Sequence, residues 1–249
     1  MRTLTRLLPE PGTETAAEAF AYPASVGPEP HVRANMVSSI DGAAAIRGRV
    51  GALTGPADQE LLRVLRSLCD VLVVGASTVR AEGYGPVRTL PELAGRRAEL
   101  GQAPNPRIAI LTRVLDLDLG SSVFTHATER PIVLTTGLAP ADRVAEARRV
   151  ADVVVAGDQS VDLPRAVVLL GELGLPRILS EGGPHLLARL FAHDLVDELC
   201  LAVSPVVTAG EEFRITNGPA LPEPLPMRLA ALHTADGFLF TRYVRTPAS

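Results

Sequence analysis

The sequence predicts an α/β protein with a mostly parallel sheet, and two patterns support that fold class. Short apolar runs typical of buried strands recur along the chain, and amphipathic helical segments lie between several of them. Strands joined by crossover helices form parallel sheets with both faces covered. Near the C-terminus, Asp236-Gly237 separates two strand-like runs, which is typical of a tight hairpin. We therefore expect a mostly parallel central sheet that ends in an antiparallel C-terminal hairpin.

Strand and helix candidates alternate from residue 32 onward. The first strand candidate ends at Asp41-Gly42, and the helix after it has Pro56 near its start and acidic residues in its first turn. The predicted strands are 32–40, 71–75, 107–111, 131–135, 152–157, 177–180 and 197–207, with the hairpin at 227–245. The helix candidates between them include 56–70, 139–150 and 162–174. Segments 85–106 and 216–226 are rich in proline and glycine and are predicted as surface loops.

Length and composition favour one principal domain. The chain has 249 residues, of which 47% are hydrophobic, so it can bury a sizeable core. Residues 1–31 are rich in proline and lack a regular apolar pattern, so they are predicted to form an N-terminal arm or loop. The remainder, residues 32–249, is predicted to form a single domain.

Charge and cysteine content narrow the class of partner. The 24 Lys and Arg are interleaved with 28 Asp and Glu, so no basic surface for nucleic acid or an anionic membrane is expected. Cys69 and Cys200 lie in apolar runs, where a buried thiol is expected rather than a disulfide. No apolar run approaches the roughly 18 to 20 residues that span a bilayer. We expect a soluble, cytoplasmic protein whose partner is a small molecule.

The segment "SEGGPHLL" joins a predicted strand to a predicted helix and suits an anion. Gly182 and Gly183 let a ligand approach the backbone, and Pro184 fits the first helical position. Free N–H groups and the helix dipole attract negative charge there. The alternative is a plain tight turn, because the segment lacks the spacing of a G-x-G-x-x-G motif.

Two further strand ends carry polar chemistry. In "VVGASTVRAEG", Gly75 is followed by Ser77 or Thr78 as a helix cap, which makes either a second phosphate-binding turn or only a cap. In "AILTR", Thr112 and Arg113 offer a hydroxyl and a guanidinium that suit the 2′-phosphate of an adenosine ribose. In isolation, a solvated arginine explains that pair equally well.

Three acids complete the predicted site. Asp41, Glu82 and Glu181 all lie near strand ends or in the first turn that follows, and we expect them along one edge of the sheet. Such an edge suits a dinucleotide together with a polar heterocyclic substrate. The sequence has no H-x-E or C-x-x-C pair, no G-x-S-x-G elbow and no phosphate-binding G-x-x-x-x-G-K-[ST] loop. Metal-dependent, hydrolase and nucleotide-triphosphatase functions are therefore not favoured.

Four ordered segments together identify a family resemblance that covers roughly residues 32–245. They are "RANMVSSIDGAAA", "DVLVVGASTVRAEGYGPVR", "PRIAILTR" and "RILSEGGPHLLARLFAHDLVDELCLAVSPVVTAG". They resemble the reductase domain of the bifunctional riboflavin-biosynthesis deaminase/reductase family. The resemblance implies a dihydrofolate-reductase-like three-layer fold and the cofactor NADPH. It also implies reduction of the ribosyl group of 5-amino-6-(5-phosphoribosylamino)uracil, or a closely related ribosylaminopyrimidine, to ribityl.

The resemblance also implies roles for individual residues. Our hypothesis for the reaction is that hydride passes to C1′ of the substrate and that Glu82 or Asp41 polarises or protonates the reacting end. The substrate-binding residues would be Asn35, Ser39, Arg66 and Glu181. The cofactor-binding residues would be Gly75, Thr78, Glu82, Thr112, Arg113, Gly182, Gly183, Pro184, His185, Leu186 and Leu187.

Departures from the family pattern leave alternatives open. The sequence has no counterpart of the family's zinc deaminase, so we expect a stand-alone reductase. Val50-Gly51-Ala52 replaces a Ser-x-Trp segment, which keeps a dihydrofolate or pterin reductase as a second hypothesis. Glu82 stands where the family often has Asp, which keeps a non-catalytic nucleotide-binding protein as a third. By resemblance we also expect a homodimer, with the apolar segment "LCLAVSPVV" at its interface.

Overall fold

The computed structural model describes residues 1–24 and 26–246. Its strands are β1 (Thr3–Leu8), β2 (Gly12–Thr15), β3 (His31–Ser38), β4 (Val71–Gly75), β5 (Arg107–Leu111), β6 (Ile132–Thr135), β7 (Asp152–Val155), β8 (Arg177–Ser180), β9 (Glu198–Val203), β10 (Met227–Ala235) and β11 (Phe238–Arg245). Its α-helices are α1 (Ala16–Ala19), α2 (Pro56–Leu68), α3 (Ala76–Glu82), α4 (Ala94–Glu99), α5 (Ser122–Thr125), α6 (Ala141–Ala147), α7 (Leu163–Glu172) and α8 (Pro184–Ala192).

The backbone divides into two compact units. Unit 1 comprises the described parts of Met1–Pro23, Val32–Leu65 and Gly183–Ser249. Unit 2 comprises the described parts of Ala24–His31 and Arg66–Gly182. The assignment of residues 32–249 to a single domain stays a prediction.

Unit 2 contains the parallel strands that the apolar runs predict. Its strand order is β8-β4-β5-β6-β7, and every pair in it is parallel. Residues Val71 to Val74 of β4 and all four residues of β6 are buried. Strands that are buried on both faces need continuous rather than alternating apolar sequence, which is why the apolar runs located them.

Unit 1 contains most of the antiparallel pairing. Its strand order is β2-β1-β10-β11-β9-β3, in which only β3 and β9 pair in parallel. The β10–β11 hairpin turns at Asp236 and Gly237, whose φ angles are +50° and +80°. Positive φ at both turn residues matches the right-handed twist of the flanking strands. The predicted α/β class and the antiparallel C-terminal hairpin are confirmed.

Two segments have more regular structure than the sequence predicted. The expected N-terminal arm instead forms β1, β2 and α1, and it buries Leu4 and Phe20. Thr15 and Glu18 form a capping box at the start of α1, a local T-x-x-E signal within the segment. The predicted loop at 85–106 contains a 3₁₀ turn and α4, and it buries Arg97 against backbone carbonyls. Because both segments are polar and rich in proline, their composition did not predict these strands and helices.

Two expectations about composition can be compared with the structure. Cys69 and Cys200 are both buried, as expected from the apolar runs that contain them. Over residues 1–24 and 26–246, no helix is long and apolar enough to cross a membrane.

Candidate active site

The carboxyl ends of β4, β5 and β8 lie at one edge of the unit 2 sheet, because these three strands are parallel neighbours. Gly75 ends β4, Thr112 follows β5 and Glu181 follows β8. The Glu181 backbone N–H donates a hydrogen bond to the carbonyl of Val73 at 3.1 Å, which extends the β4–β8 ladder to the predicted acid. The topology therefore brings these three predicted residues to the edge where open α/β sheets bind ligands.

Glu181 is held by a cation and a phenol. Its carboxylate accepts two hydrogen bonds from Arg66: Nε to Oε1 at 2.8 Å and Nη2 to Oε2 at 2.6 Å. The Tyr84 hydroxyl also donates to Oε2, at 2.8 Å. Only 6% of the Glu181 side chain is exposed. The predicted substrate-binding pair, Arg66 and Glu181, thus forms a bidentate ion pair, a geometry that adds specificity as well as energy.

The pKa values of both donors, Arg66 and Tyr84, are raised above their ordinary values. For Arg66, burial lowers the pKa, but the hydrogen bonds and charge of Glu181 outweigh this and raise it above its ordinary value. For Tyr84, burial and then the negative charge of Glu181 both raise the pKa well above the ordinary value for a phenol. Both groups therefore keep their protons and remain hydrogen-bond donors.

Helix α3 follows β4 directly, and its cap differs from the prediction. The helix starts at Ala76 with Gly75 as N-cap, and no side chain caps it. Ser77 and Thr78 lie inside the first turn instead of capping it. The prediction placed Glu82 near a strand end or in the first turn that follows. Glu82 is instead the last residue of α3, about two turns beyond the end of β4. Within the described chain, its exposed carboxylate has no hydrogen-bond or ion-pair partner.

Thr112 and Arg113 follow β5 as predicted. Thr112 is buried, whereas Arg113 is exposed. The carbonyl oxygen of Arg113 accepts hydrogen bonds from the hydroxyls of Thr136 at 2.9 Å and Thr135 at 3.4 Å. The backbone of Arg113 is therefore fixed while its guanidinium extends into solvent, an arrangement that can receive an anion.

The N-terminus of α8 has the properties expected of an anion-binding turn. Gly183 is the N-cap, Pro184 occupies the first helical turn, and no side chain caps the helix or adds an acid to that turn. His185 anchors the turn through a contact of 2.8 Å between its Nδ1 and the carbonyl oxygen of Asn217. Leu186 and Leu187 are buried and hold the helix against the core. In unit 2, the N–H of Gly182 faces the Ser180 hydroxyl at 3.4 Å.

Asp41 and Ser39 form a clamp in unit 1 between the loops that follow β3 and β9. The Ser39 hydroxyl donates to Asp41 at 2.5 Å and accepts from the N–H of Ala43. The carboxylate also accepts from the backbone N–H groups of Thr208 and Ala209. Asn35 lies on β3, half-buried and in register with Cys200 of β9. The Ser39 hydroxyl and the Asp41 carboxylate thus already have hydrogen-bond partners within unit 1.

Sequence reasoning missed Tyr84 and the loop at Thr208 and Ala209. Tyr84 comes directly after Gly83, which ends α3 with left-handed backbone angles (φ 62°, ψ 48°). A glycine after a helical run is a recognised signal for the end of a helix, so the sequence indicates the turn at Gly83. The contact of Tyr84 with Glu181 joins residues 97 apart in the chain and has no local signal.

Comparison with known proteins identifies the class of enzyme to which this fold and this site belong. Residues 30–237 match the family model described as the RibD C-terminal domain. A pyrimidine reductase-like protein from Corynebacterium diphtheriae has 27% sequence identity and a TM-score of 0.83, with coverage of 94% of this chain and 100% of its own. That similarity shows that the chain has the fold of this pyrimidine reductase-like protein.

Curated relatives agree with that match. A protein of Methanothermobacter thermautotrophicus is 30% identical over 186 residues, which are 74% of this chain and 82% of the relative. A protein of Archaeoglobus fulgidus is 28% identical over 184 residues, which are 74% of this chain and 84% of the relative. Both are named 2,5-diamino-6-ribosylamino-4(3H)-pyrimidinone 5′-phosphate reductase.

The protein is an oxidoreductase of the riboflavin-biosynthesis reductase type. More particularly, the chain belongs to the RibD C-terminal domain family, which confirms the resemblance found in the sequence.

Proposed function

We propose that the protein is an NADPH-dependent reductase of a ribosylaminopyrimidine phosphate and that it converts the ribosyl group to a ribityl chain. The observation that carries this proposal is the buried Glu181 carboxylate, oriented by Arg66 and Tyr84 at the carboxyl edge of a parallel sheet. A fixed anionic acceptor suits the N–H and O–H groups of an aminopyrimidine or a ribose. The names of the curated relatives support the same substrate class.

The residues present fit a nicotinamide dinucleotide. The uncapped N-terminus of α8, without an acid in its first turn, offers free N–H groups to a diphosphate. Arg113, exposed on a fixed backbone, would hold the 2′-phosphate, with Thr112 beside it in sequence. Gly75 and Thr78, at the start of α3, would line the nicotinamide half. When bound, NADPH supplies a hydride from its nicotinamide ring.

The protein's own residues then bind and orient the substrate. Glu181 would accept a hydrogen bond from the pyrimidine or the ribose, and the two hydrogen bonds from Arg66 would hold the carboxylate in place. Glu82 is the acid that we assign, as a proposal, to polarise the reacting end, because its carboxylate has no partner in the described chain. Asp41, whose carboxylate accepts hydrogen bonds from Ser39 and from the Ala209 N–H, would instead hold the loop after β3 in place. Ser39 and Asn35 would bind substrate beside it.

Two pyrimidines and one pterin distinguish the candidate substrates. Steady-state NADPH oxidation would be measured with 2,5-diamino-6-ribosylamino-4(3H)-pyrimidinone 5′-phosphate, with 5-amino-6-(5-phosphoribosylamino)uracil and with dihydrofolate. We expect turnover of at least one ribosylaminopyrimidine and none of dihydrofolate. Turnover of dihydrofolate alone would establish the pterin reductase instead. Tight NADPH binding without turnover of any of the three would establish the non-catalytic nucleotide-binding protein.

The homodimer and the cytoplasmic location also remain proposals. In unit 1, β9 pairs with β3 on one edge and with β11 on the other, so the apolar segment at 199–207 cannot add an intermolecular strand through β9. An interface there has to be formed by side-chain packing. Light scattering would report twice the chain mass of 26.3 kDa for a dimer, and a mass equal to the chain would exclude it.

A further inference from the structure

The two oxygens of the Glu181 carboxylate are not equivalent. Oε2 accepts from both Arg66 Nη2 and the Tyr84 hydroxyl, whereas among the described residues Oε1 accepts only from Arg66 Nε. A carboxylate oxygen has two lone pairs, so Oε2 is fully used and Oε1 retains one acceptor position. The side chain is only 6% exposed, which restricts the directions from which a ligand can reach it.

Tyr84 is placed for this contact by the end of α3. Gly83 adopts left-handed angles and donates its N–H to the carbonyl of Val79 at 3.1 Å, and the Tyr84 N–H reaches the same carbonyl at 3.4 Å. This turn ends the helix and fixes the backbone from which the phenol extends. The Arg66 guanidinium lies 5.3 Å from the centre of the Tyr84 ring, so the three side chains form one connected group.

We propose that Tyr84 is a positioning residue of the substrate site, which occupies Oε2 of Glu181 and leaves Oε1 as the acceptor for one N–H or O–H group of the pyrimidine substrate. This inference rests on the proposed function, because it assigns the ligand of Oε1. Without the phenol, Oε2 regains a free lone pair, and only the two hydrogen bonds from Arg66 hold the carboxylate among the described residues. The acceptor would then have no single direction.

The test compares Tyr84→Phe with the wild type. This substitution keeps the ring against Arg66 and removes only the hydroxyl. Because the lost interaction orients a binding group, KM for the pyrimidine is expected to rise about tenfold, the effect of one hydrogen bond to a charged group. KM for NADPH and kcat are expected to stay within about twofold. A pyrimidine KM within twofold of the wild type, or an equal rise in the KM for NADPH, would overturn the proposal.

Two controls separate positioning from a general structural effect. Tyr243→Phe removes a hydroxyl that has no hydrogen bond in the described chain, and it should leave both KM values unchanged. In a Glu181→Gln background, Tyr84→Phe should change the pyrimidine KM less than twofold, because the phenol acts only through the carboxylate. If Tyr84→Phe raised the pyrimidine KM tenfold in both the wild type and the Glu181→Gln variant, the phenol would not act through the Glu181 carboxylate.

A crystal structure of Tyr84→Phe tests the inference without any substrate. We expect the Glu181 carboxylate to rotate away from the wild-type plane or to occupy two conformers, while Arg66 stays nearby. An unchanged, single carboxylate position would overturn the positioning role even if KM rose. If the wild type turns over no pyrimidine but the carboxylate moves as expected, the proposed substrate is wrong and the positioning role stands.

Discussion

The Asp41 carboxylate accepts a 2.7 Å hydrogen bond from the backbone N–H of Ala209, and this contact joins the loop after β3 to the loop after β9. The Ser39 hydroxyl donates to the same carboxylate at 2.5 Å. These hydrogen bonds, that of Ser39 first, lower the pKa of Asp41 far below its ordinary value. Because the group stays ionised at neutral pH, it is poorly suited to donate a proton to substrate, which favours a positioning role.

The first prediction concerns the pH dependence of this clamp. Since the native pKa is depressed, Asp41 stabilises the fold above the pKa of the unfolded chain, which is about 4, and loses that contribution as pH falls toward the native value. Asp41→Asn should therefore melt at a lower temperature than the wild type at pH 7. The difference in Tm should shrink steadily below about pH 4. A difference in Tm that does not change between pH 7 and pH 2.5 would show that the charge of Asp41 contributes nothing.

The second prediction concerns a buried ion pair in unit 1. Arg33 Nε lies 2.7 Å from Glu198 Oε1, and both side chains have 0% exposure. Glu198→Gln leaves a buried guanidinium without its counter-charge, so the free energy of unfolding should fall by about 3 to 5 kcal/mol. Denaturant titration measures the change. Asp194→Asn, which removes an exposed partner of Arg245, is the matched control and should cost less than about 1 kcal/mol. Equal effects of the two variants would contradict the prediction.

The sequence predicted the strands of unit 2 well because each is short, apolar and buried on both faces. β4 begins and ends at the predicted residues, 71 and 75. The first 31 residues were predicted poorly, because β1 is paired to β10 by backbone hydrogen bonds that its own composition does not signal. At the site, Glu181 was found from its place after a predicted strand and Arg66 from the family resemblance, whereas Tyr84 was not found. Its role depends on a distant contact that only the folded chain creates.

The third prediction tests the choice of cofactor. Arg113 extends an exposed guanidinium from a backbone held by Thr136. If it binds the 2′-phosphate, Arg113→Ala should raise KM for NADPH about tenfold or more and leave KM for NADH within about twofold. Arg149→Ala, at another exposed arginine of unit 2, should change neither value. An unchanged ratio of the two KM values in Arg113→Ala would remove this role.

The fourth prediction uses the N-cap of α8, where stability and cofactor binding should respond in opposite directions. Gly183 has φ −59° and ψ 174°, angles that other residues adopt readily, and no side chain caps the helix. Asp and Ser are both good N-caps, so Gly183→Asp and Gly183→Ser should each stabilise the fold by about a few tenths of a kcal/mol.

The Asp carboxylate would also occupy the position proposed for the diphosphate and repel it. Fluorescence titration should therefore show NADPH binding weakened at least tenfold in Gly183→Asp and only about two- to threefold in Gly183→Ser. Equal affinities of the two variants for NADPH would mean that this helix end does not bind the diphosphate.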